Sequence, residues 1–403
     1  MRIKSIYVNN FKSLVDFKIN LAKFNCLIGL NGSGKSTFLQ FMDFLAQLMK
    51  GDIKNWLRRR EWDTYDCVSK STAKPIIQFQ VEFVSDNNQY GCWSATYHCD
   101  LLYCVEEEVI CNGKKLYVEN FDENEIGSYQ FRETKDSTVS DIAFQYEGSI
   151  LSVLKEKRIT DAFVAIKNFI CDIMSCDLLA PNFLRKGSYL EKSDNIGMCG
   201  EDLAAFLWSF SDEKRDELSE KLKTVFPQIR HIVLIDDNPP HLPPKNNPRK
   251  ELAFIEFHNR KSGNKADFIY ANQINDGFLR LVAFLSQMET KSSILLFDEI
   301  ENGINPELVD FLLKELVNAK QQIVVTTHSP LFLNYLEDDT ARESVQYFYK
   351  TPEGYTQCIP FFEIPSIQEK LGVLGPGEAF ADTDLFGLAR EIEQITASPE
   401  KEK

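Results

Sequence analysis

The chain has 403 residues, 43% of them hydrophobic: length for one large or two ordinary domains, with material for a substantial core. A formal net charge of −15 excludes a generally basic nucleic-acid coat, although a local basic stripe can still meet DNA or RNA. Ten cysteines occur without a Cys-x-x-Cys pair or zinc spacing, and no run approaches the roughly 18 apolar residues that cross a bilayer, so neither a zinc module nor a membrane span is expected.

The opening MRIKSIYVNNF alternates like a strand and lacks the apolar core of a signal peptide. Residues 1–28 read as short strands, around Ile3, Ile6 and Val8, then Phe17 and Ile19, then Cys26 to Ile28, forming sheet around the stretch that follows. That stretch, GLNGSGKST from Gly29 to Thr37, fits G-x-x-x-x-G-K-[ST], with Gly29, Gly34, Lys35 and Ser36 at the fixed positions. An apolar run, Phe24 to Ile28, leads into it. A helical pattern of Phe38, Leu39, Phe41, Met42, Leu45 and Leu48 leads out, to about Met49. In this context the glycines let backbone N–H groups turn inward around phosphate oxygens, and the helix N-terminus adds partial positive charge. The expected nucleotide-binding residues are Asn31, Gly32, Ser33, Gly34, Lys35, Ser36 and Thr37, with Lys35 on the terminal phosphates and the Ser36 hydroxyl on Mg²⁺. The alternative is a glycine turn that opens a helix and binds nothing.

Next comes the one dense basic run: Lys54, Trp56, Leu57, Arg58, Arg59, Arg60, Glu61, Trp62. Arginines between tryptophans can contact nucleic acid by phosphate pairing and stacking, and a charged helix end meeting solvent or a partner is the competing reading. From Ile76 to about Phe144 the pattern alternates, and Asn112-Gly113 between two strand runs marks a hairpin, so an antiparallel lobe is expected. From Ser149 to about Phe226 the period becomes helical; Cys171 and Cys176, five apart there, read as packing rather than ligands. Five prolines between Pro239 and Pro248 mark an exposed loop. Strand signals return at LAFIEFH and FIYANQI, and a helix, GFLRLVAFLSQM, leads to the buried strand ILLFDE.

Ile294 to Phe297 is apolar and ends in Asp298-Glu299, as a parallel core strand does when polar residues emerge at its carboxyl end. Asp298 is expected in the Mg²⁺ shell, and Glu299 as the carboxylate that polarises a water for in-line attack on the γ-phosphate; an acidic pair closing a surface strand is the alternative. A helix from Pro306 to Asn318 leads to IVVTTHS, where His328 follows a second apolar strand and can hydrogen-bond the γ-phosphate. Residues 331–403 hold one more strand pair, SVQYFYK and YTQCIPFF, and a helix after LGPGEAF; Asp382-Thr383-Asp384 reads as an acidic loop, with a metal-binding carboxylate pair as the alternative.

Together the phosphate loop, the DE strand, the turn Glu301-Asn302-Gly303-Ile304-Asn305-Pro306 and TTHSP resemble the ABC-type ATPases of the RecF/SMC class. The likeness is to the compact "AAA family ATPase" branch with OLD-family proteins and the ATPase subunits of anti-phage systems such as Septu and PARIS. NNFKSL (Asn9 to Leu14) resembles that branch's first-strand motif, and GEDLAAFL (Gly200 to Leu207) and FPQI (Phe226 to Ile229) resemble its helical lobe. The resemblance implies a P-loop NTPase of ABC/SMC-head type, α/β, with a mixed core sheet, an antiparallel β lobe and a helical lobe. It implies a head-to-tail dimer sandwiching two ATP, in which a signature motif from one head meets the γ-phosphate in the other. The matching stretch is Ile274 to Arg280, with Asn275, Asp276 and Gly277 as the trans signature; the family usually has serine where Asn275 stands, and a plain helix N-cap is the alternative. Gln145, just before the helical lobe, is a candidate for the glutamine that contacts metal and water, Lys12 is a candidate near the phosphates, and the turn from Asn302 to Pro306 resembles the loop that touches the partner head.

The segments expected are an N-terminal core with the β lobe (1–148), a helical lobe with the proline-rich loop (149–250), a C-terminal core (251–348) and a tail with a docking segment (349–403). ATP and Mg²⁺ are the cofactors, and the expected activity is ATP hydrolysis in the cytoplasm without a nuclease of its own. By analogy of family, the oligomer acts as sensor or regulator of a separately encoded effector, such as a nuclease in anti-phage defence. The alternative is a DNA-repair ATPase that binds nucleic acid through Arg58, Arg59 and Arg60.

Overall fold

The computed structural model describes residues 1–392 apart from 73, 86–88, 120–127, 133–138, 143, 177–178, 190–191, 237–248, 261–262, 386 and 389–390. The proline-rich stretch Pro239 to Pro248 lies outside the described residues. The chain forms two units, Met1–Met174 with Gln322–Lys403, and Ser175–Gln321. They cut across the segments drawn from sequence: the first unit takes the helix at 161–171 from the helical stretch and also the entire tail.

The first unit opens with β1 (Arg2–Asn9), β2 (Phe17–Asn20) and β3 (Phe24–Gly29), followed by α1 (Lys35–Lys50) and α2 (Ile53–Arg59). Strands β4 (Ile76–Val84), β5 (Tyr90–His98), β6 (Tyr103–Cys111), β7 (Lys114–Glu119), β8 (Ser128–Arg132) and β9 (Val139–Asp141) precede α3 (Asp161–Cys171). The first two strands do not join β3. They complete an eight-stranded antiparallel sheet in the order β2-β1-β4-β5-β6-β7-β8-β9. Burial explains the separation: β1 hides side chains mainly on one face, whereas all six residues of β3 are buried, as a strand covered on both faces requires. The hairpin at Asn112-Gly113 is as expected, both residues having positive φ (53° and 76°) and Cys111 pairing with Lys114.

The sheet's inner face holds Ile77, Phe79, Val81 and Phe83 of β4 at alternate positions, all buried. The aromatic rings of α1, Phe41 and Phe44, pack on Phe11, Phe79 and Tyr97 of this lobe at centroid distances of 5.2–6.1 Å. Each such buried ring contributes about 1.5–3 kcal/mol, so the helix that opens at the phosphate loop is anchored along its length. Glu107 is a carboxylate buried in this core; it accepts from Trp93 Nε1 (2.8 Å), the Ile150 amide (2.9 Å) and Ser149 Oγ.

After β10 (Ile173–Ser175), the second unit contains α4 (Pro181–Leu184), β11 (Ser188–Tyr189), α5 (Leu203–Ser209) and α6 (Asp212–Lys223). It continues with β12 (Ile229–Asp236), β13 (Arg249–Arg260), β14 (Gly263–Tyr270), α7 (Asp276–Met288), β15 (Ile294–Phe297) and α8 (Pro306–Val317). Strand β12 was not anticipated, although Ile232 to Ile235 is an apolar run; it pairs antiparallel with β13, whose other partners are β14 and β11. Helix α7 is fixed on one side by Phe278 against Phe254 and Phe226, at 4.9 and 4.6 Å, and on another by Phe284 against Phe297 at 4.9 Å.

The chain re-enters the first unit with β16 (Gln322–Thr326), α9 (Pro330–Asn334), α10 (Asp338–Ser344), β17 (Val345–Lys350), β18 (Thr356–Pro360), α11 (Pro365–Leu371) and α12 (Pro376–Ala381). Here β16 and β17 flank β3 in parallel and β18 closes the edge antiparallel, so the sheet is mixed. Gln322 ties this sheet to the chain start: its side chain accepts from the Ile3 amide and donates to Ile3 O and Ala22 O at 2.7–2.8 Å.

Candidate functional site

Strand β3 runs out at Gly29, and the loop to α1 depends on two glycine conformations. Gly29 has φ +142° and a Cβ there would stand 2.2 Å from Phe348 O; Gly34 has φ +111° and its Cβ would stand 2.1 Å from Thr356 Oγ1. Only glycine meets both demands. Helix α1, with Gly34 at its N-cap, starts with no side-chain cap hydrogen bond and no acidic residue in its own first turn, so its partial positive charge is not offset from within the helix. Lys35 is 5% exposed and its Nζ donates to Gly29 O (3.0 Å) and Leu30 O (3.1 Å), lying back along the loop. Asn31, Gly32 and Ser36 are exposed and Thr37 half-buried. Ser33 Oγ is buried without a hydrogen-bond partner among the described residues. A bare helix end, a lysine and an unpartnered hydroxyl together suit a phosphate chain.

The loop is held from below by a residue that sequence reasoning did not single out. Thr356, fully buried at the head of β18, donates through Oγ1 to Ser33 O (2.8 Å), lies 2.8 Å from Ser13 Oγ and accepts from Lys350 Nζ (3.0 Å). Its amide donates to Ser13 O at 2.7 Å. The only signal was the β18 strand pattern itself.

Two cavities flank the loop. One, of about 600 Å³, lies at Thr37 and is lined also by Lys12, Trp62, Asp66, Ser69 and Tyr355. Lys12 Nζ sits 3.2 Å from the Trp62 ring centroid and 3.0 Å from Gln40 Oε1 on α1, so the structure brings Lys12 to this side of the loop. The other, of about 530 Å³, is lined by Gly29, Leu30 and Asn31, by His328 and Pro330 after β16, and by Phe380, Ala381 and Thr383 of the tail. His328 and Asn31 thus border one space. The tail reaches it because α12 packs on α9: a Cβ on Gly377 would stand 2.0 Å from Pro330 O, and the Glu378 amide donates to Asn334 Oδ1 at 3.1 Å. Asp382 pairs with Lys370 at 3.0 Å, as an acidic loop residue.

The basic run divides. Arg60 turns into the protein, its side chain 3% exposed, and its Nη2 donates at 2.7 Å to Asp43 of α1, itself 7% exposed. Trp56 is fully buried and donates Nε1–H to the same Asp43 oxygen at 2.6 Å. The Arg60 guanidinium lies 5.3 and 5.2 Å from the Trp56 and Trp62 rings. Arg59 pairs with Asp52 at 3.0 Å, and Arg58 is exposed. Of the two readings of this run, the nucleic-acid one loses Arg60 and Trp56, which serve a buried carboxylate. Gln145 is exposed, beside Tyr146, whose hydroxyl donates to Cys104 O at 3.2 Å.

In the second unit, β15 is buried throughout and delivers a half-buried Asp298 and an exposed Glu299. Glu299 has φ +47°, and the next turn folds back on it: the Asn302 amide donates to Glu299 O at 2.9 Å, and Asn302 Nδ2 donates to Glu299 Oε2. Asn275 caps α7, its Oδ1 accepting from the Phe278 amide at 2.8 Å, so the helix-cap alternative holds for its oxygen while its Nδ2 carries two further donors. Asp276 pairs with Arg185, which also donates to Ile274 O at 3.0 Å. A Cβ on Gly277 would stand 2.2 Å from Gly303 O, so the start of α7 and the turn after Glu299 touch backbone to backbone. Burial pulls the Arg280 guanidinium below its ordinary value, while the carboxylates of Glu299, Asp276 and Glu301 act in the opposite sense.

A family model described as the AAA ATPase domain matches residues 1–289. Among solved structures, an SMC head bound to the C-winged helix domain of ScpA is 17% identical with a TM-score of 0.49, over 89% of this chain and 97% of that one. The SMC head domain from Thermotoga maritima is 12% identical with a TM-score of 0.46, over 89% and 99%. An SMC head with an extended coiled coil bound to the C-terminal domain of ScpA, derived from Pyrococcus furiosus, is 13% identical with a TM-score of 0.48, over 92% and 99%. No curated protein matches the chain. No helix of the described residues is long and apolar enough to cross a membrane. With its phosphate loop inside a match that spans well over half the chain, this protein belongs to the AAA ATPase domain family and is an ATP-binding ATPase.

Proposed function

We propose that the protein is an ATP-gated dimer in which ATP with Mg²⁺ closes two heads and hydrolysis opens them. The observation that carries this reading is the phosphate loop: an uncapped α1, a buried Lys35 and an unpartnered Ser33 hydroxyl behind the exposed Asn31-Gly32 rim. Lys35 and the loop amides hold the β- and γ-phosphates, and Thr37 marks the end from which the ribose and base extend into the cavity of Lys12, Trp62 and Tyr355. The exposed Ser36 hydroxyl and the half-buried Asp298 carboxylate are each an oxygen donor of the kind Mg²⁺ takes. When bound, the ion offsets charge on the phosphates. Glu299 orients the attacking water, His328 contacts the γ-phosphate from the cavity it shares with Asn31, and Asn275-Asp276-Gly277 serve the partner's nucleotide. Gln145 belongs to the same metal and water set.

Light scattering with and without ATP tests the gate. The wild type and Glu299→Gln become dimers with ATP and Mg²⁺, and Lys35→Ala stays monomeric. Equal mass for all three with and without nucleotide would end the proposal.

The gate reports to a separate effector, such as a nuclease in anti-phage defence; support for this step is the family likeness of the DE strand, turn and TTHSP motifs. Phage plating on cells carrying the intact locus or its Glu299→Gln form checks it, and equal plating on both excludes the defence role. Direct DNA binding is the weaker reading, because Arg60 and Trp56 face Asp43.

A further inference from the structure

Beyond assigning a water-orienting carboxylate, the second unit shows how that carboxylate is held. Glu299 occupies the left-handed backbone region at φ +47°, where residues with a β-carbon are uncommon. Its carboxylate is exposed at the end of β15. Two bonds reach Glu299 from one residue: the Asn302 amide donates to Glu299 O, and Asn302 Nδ2 donates to Glu299 Oε2. Asn302 is itself held. Gly303, at φ +69°, follows it, and the Gly303 carbonyl lies against Gly277, where a single added carbon would come within 2.2 Å of it. Arg280, one helical turn along α7 from Gly277, puts a half-buried cation near Glu299 and Glu301.

We infer that Asn302 is a positioning residue for Glu299, and that the Gly277–Gly303 contact holds the turn that carries it. This rests on the reading of Glu299 given above and adds a positioning residue to it. Asn302 needs no contact with ATP for this role.

Single-turnover hydrolysis with ATP and Mg²⁺, alongside ATP affinity, tests it in the full chain. Asn302→Ala lowers the single-turnover rate roughly tenfold or more, a share of the 10²–10⁴-fold that general-base catalysis supplies, with ATP affinity within about twofold of wild type. Asn302→Asp, with the same shape and no donor, loses at least as much. In a Glu299→Gln background, Asn302→Ala adds no further loss, because the group it positions is gone. A wild-type rate in either Asn302 variant overturns the inference, as does an equal loss in the Glu299→Gln background. A purely structural role would instead lower ATP affinity and the unfolding midpoint together. Full-rate hydrolysis by Glu299→Gln removes the assignment of Glu299 and this inference with it; a slow Glu299→Gln beside a full-rate Asn302→Ala removes the inference alone.

Discussion

Replacing Arg60 by alanine separates a folding role from a nucleic-acid role. In the folded chain Arg60 Nη2 and Trp56 Nε1 converge on one oxygen of Asp43, at 2.7 and 2.6 Å, while Gln47 Nε2 reaches the other at 3.0 Å. With the two charged side chains 3% and 7% exposed, solvent screening is slight. Removing one partner of a buried pair costs about 3–5 kcal/mol, because the remaining charge is left without its counterion. Loss of the guanidinium from beside the Trp56 and Trp62 rings adds about 0.5–1 kcal/mol. Arg60→Ala is therefore expected to lose at least about 3 kcal/mol, while Arg58→Ala, at an exposed position, stays within about 0.5 kcal/mol of wild type. Urea unfolding followed by tryptophan fluorescence reads both, and Trp56 itself reports on the site. DNA binding at two salt concentrations completes the experiment. Wild-type stability in Arg60→Ala, together with a drop in DNA affinity, would refute the reasoning and restore the basic stripe.

Three other outcomes follow from the structure. Thr356→Val keeps the volume but removes the hydroxyl shared by Ser33 O, Ser13 and Lys350; it should cost about 1–3 kcal/mol of stability and weaken ATP binding measured by fluorescent-nucleotide titration. Burial raises the Glu107 carboxyl above its ordinary 4.5, against the hydrogen bonds from Ser149, Ile150 and Trp93. The folded state thus keeps a proton that the unfolded chain has lost, so this contribution is full below 4.5 and disappears as pH rises through the higher folded value. Glu107→Gln should gain stability relative to wild type as pH rises across that window in thermal melts, whereas a constant difference would contradict the sign. Trp62→Ala should weaken ATP more than inorganic triphosphate, since the ring lines the cavity beyond Thr37 rather than the phosphate loop; equal losses measured by calorimetry would place the nucleoside elsewhere.

Features set by neighbouring residues were readable in the chain. The phosphate loop is nine contiguous residues between a strand and a helix, and the Asn112-Gly113 hairpin needs two positive φ angles that those residue types supply. Features set by distant partners were not. Thr356 meets Ser33 across 323 positions, and Gln322 meets Ile3 across 319, with no local pattern announcing either. Arg60 carries the same charge whether it faces solvent or Asp43, and only the path from α1 to α2 decides which. The apolar run of β12 is short and stands just before a proline-rich stretch, so its own pattern does not separate a strand from the approach to a loop. Glu299 and Asn302 were each visible, but the bond between them depends on a left-handed backbone at a glutamate, which residue type does not foretell.

The most direct test of the account is rapid-quench single-turnover hydrolysis of radiolabelled ATP by Glu299→Gln. Retained ATP binding with phosphate release slowed by about 10²-fold or more is the expected result. Phosphate release at the wild-type rate, with ATP bound equally well, would contradict the claim that Glu299 activates the water at this site.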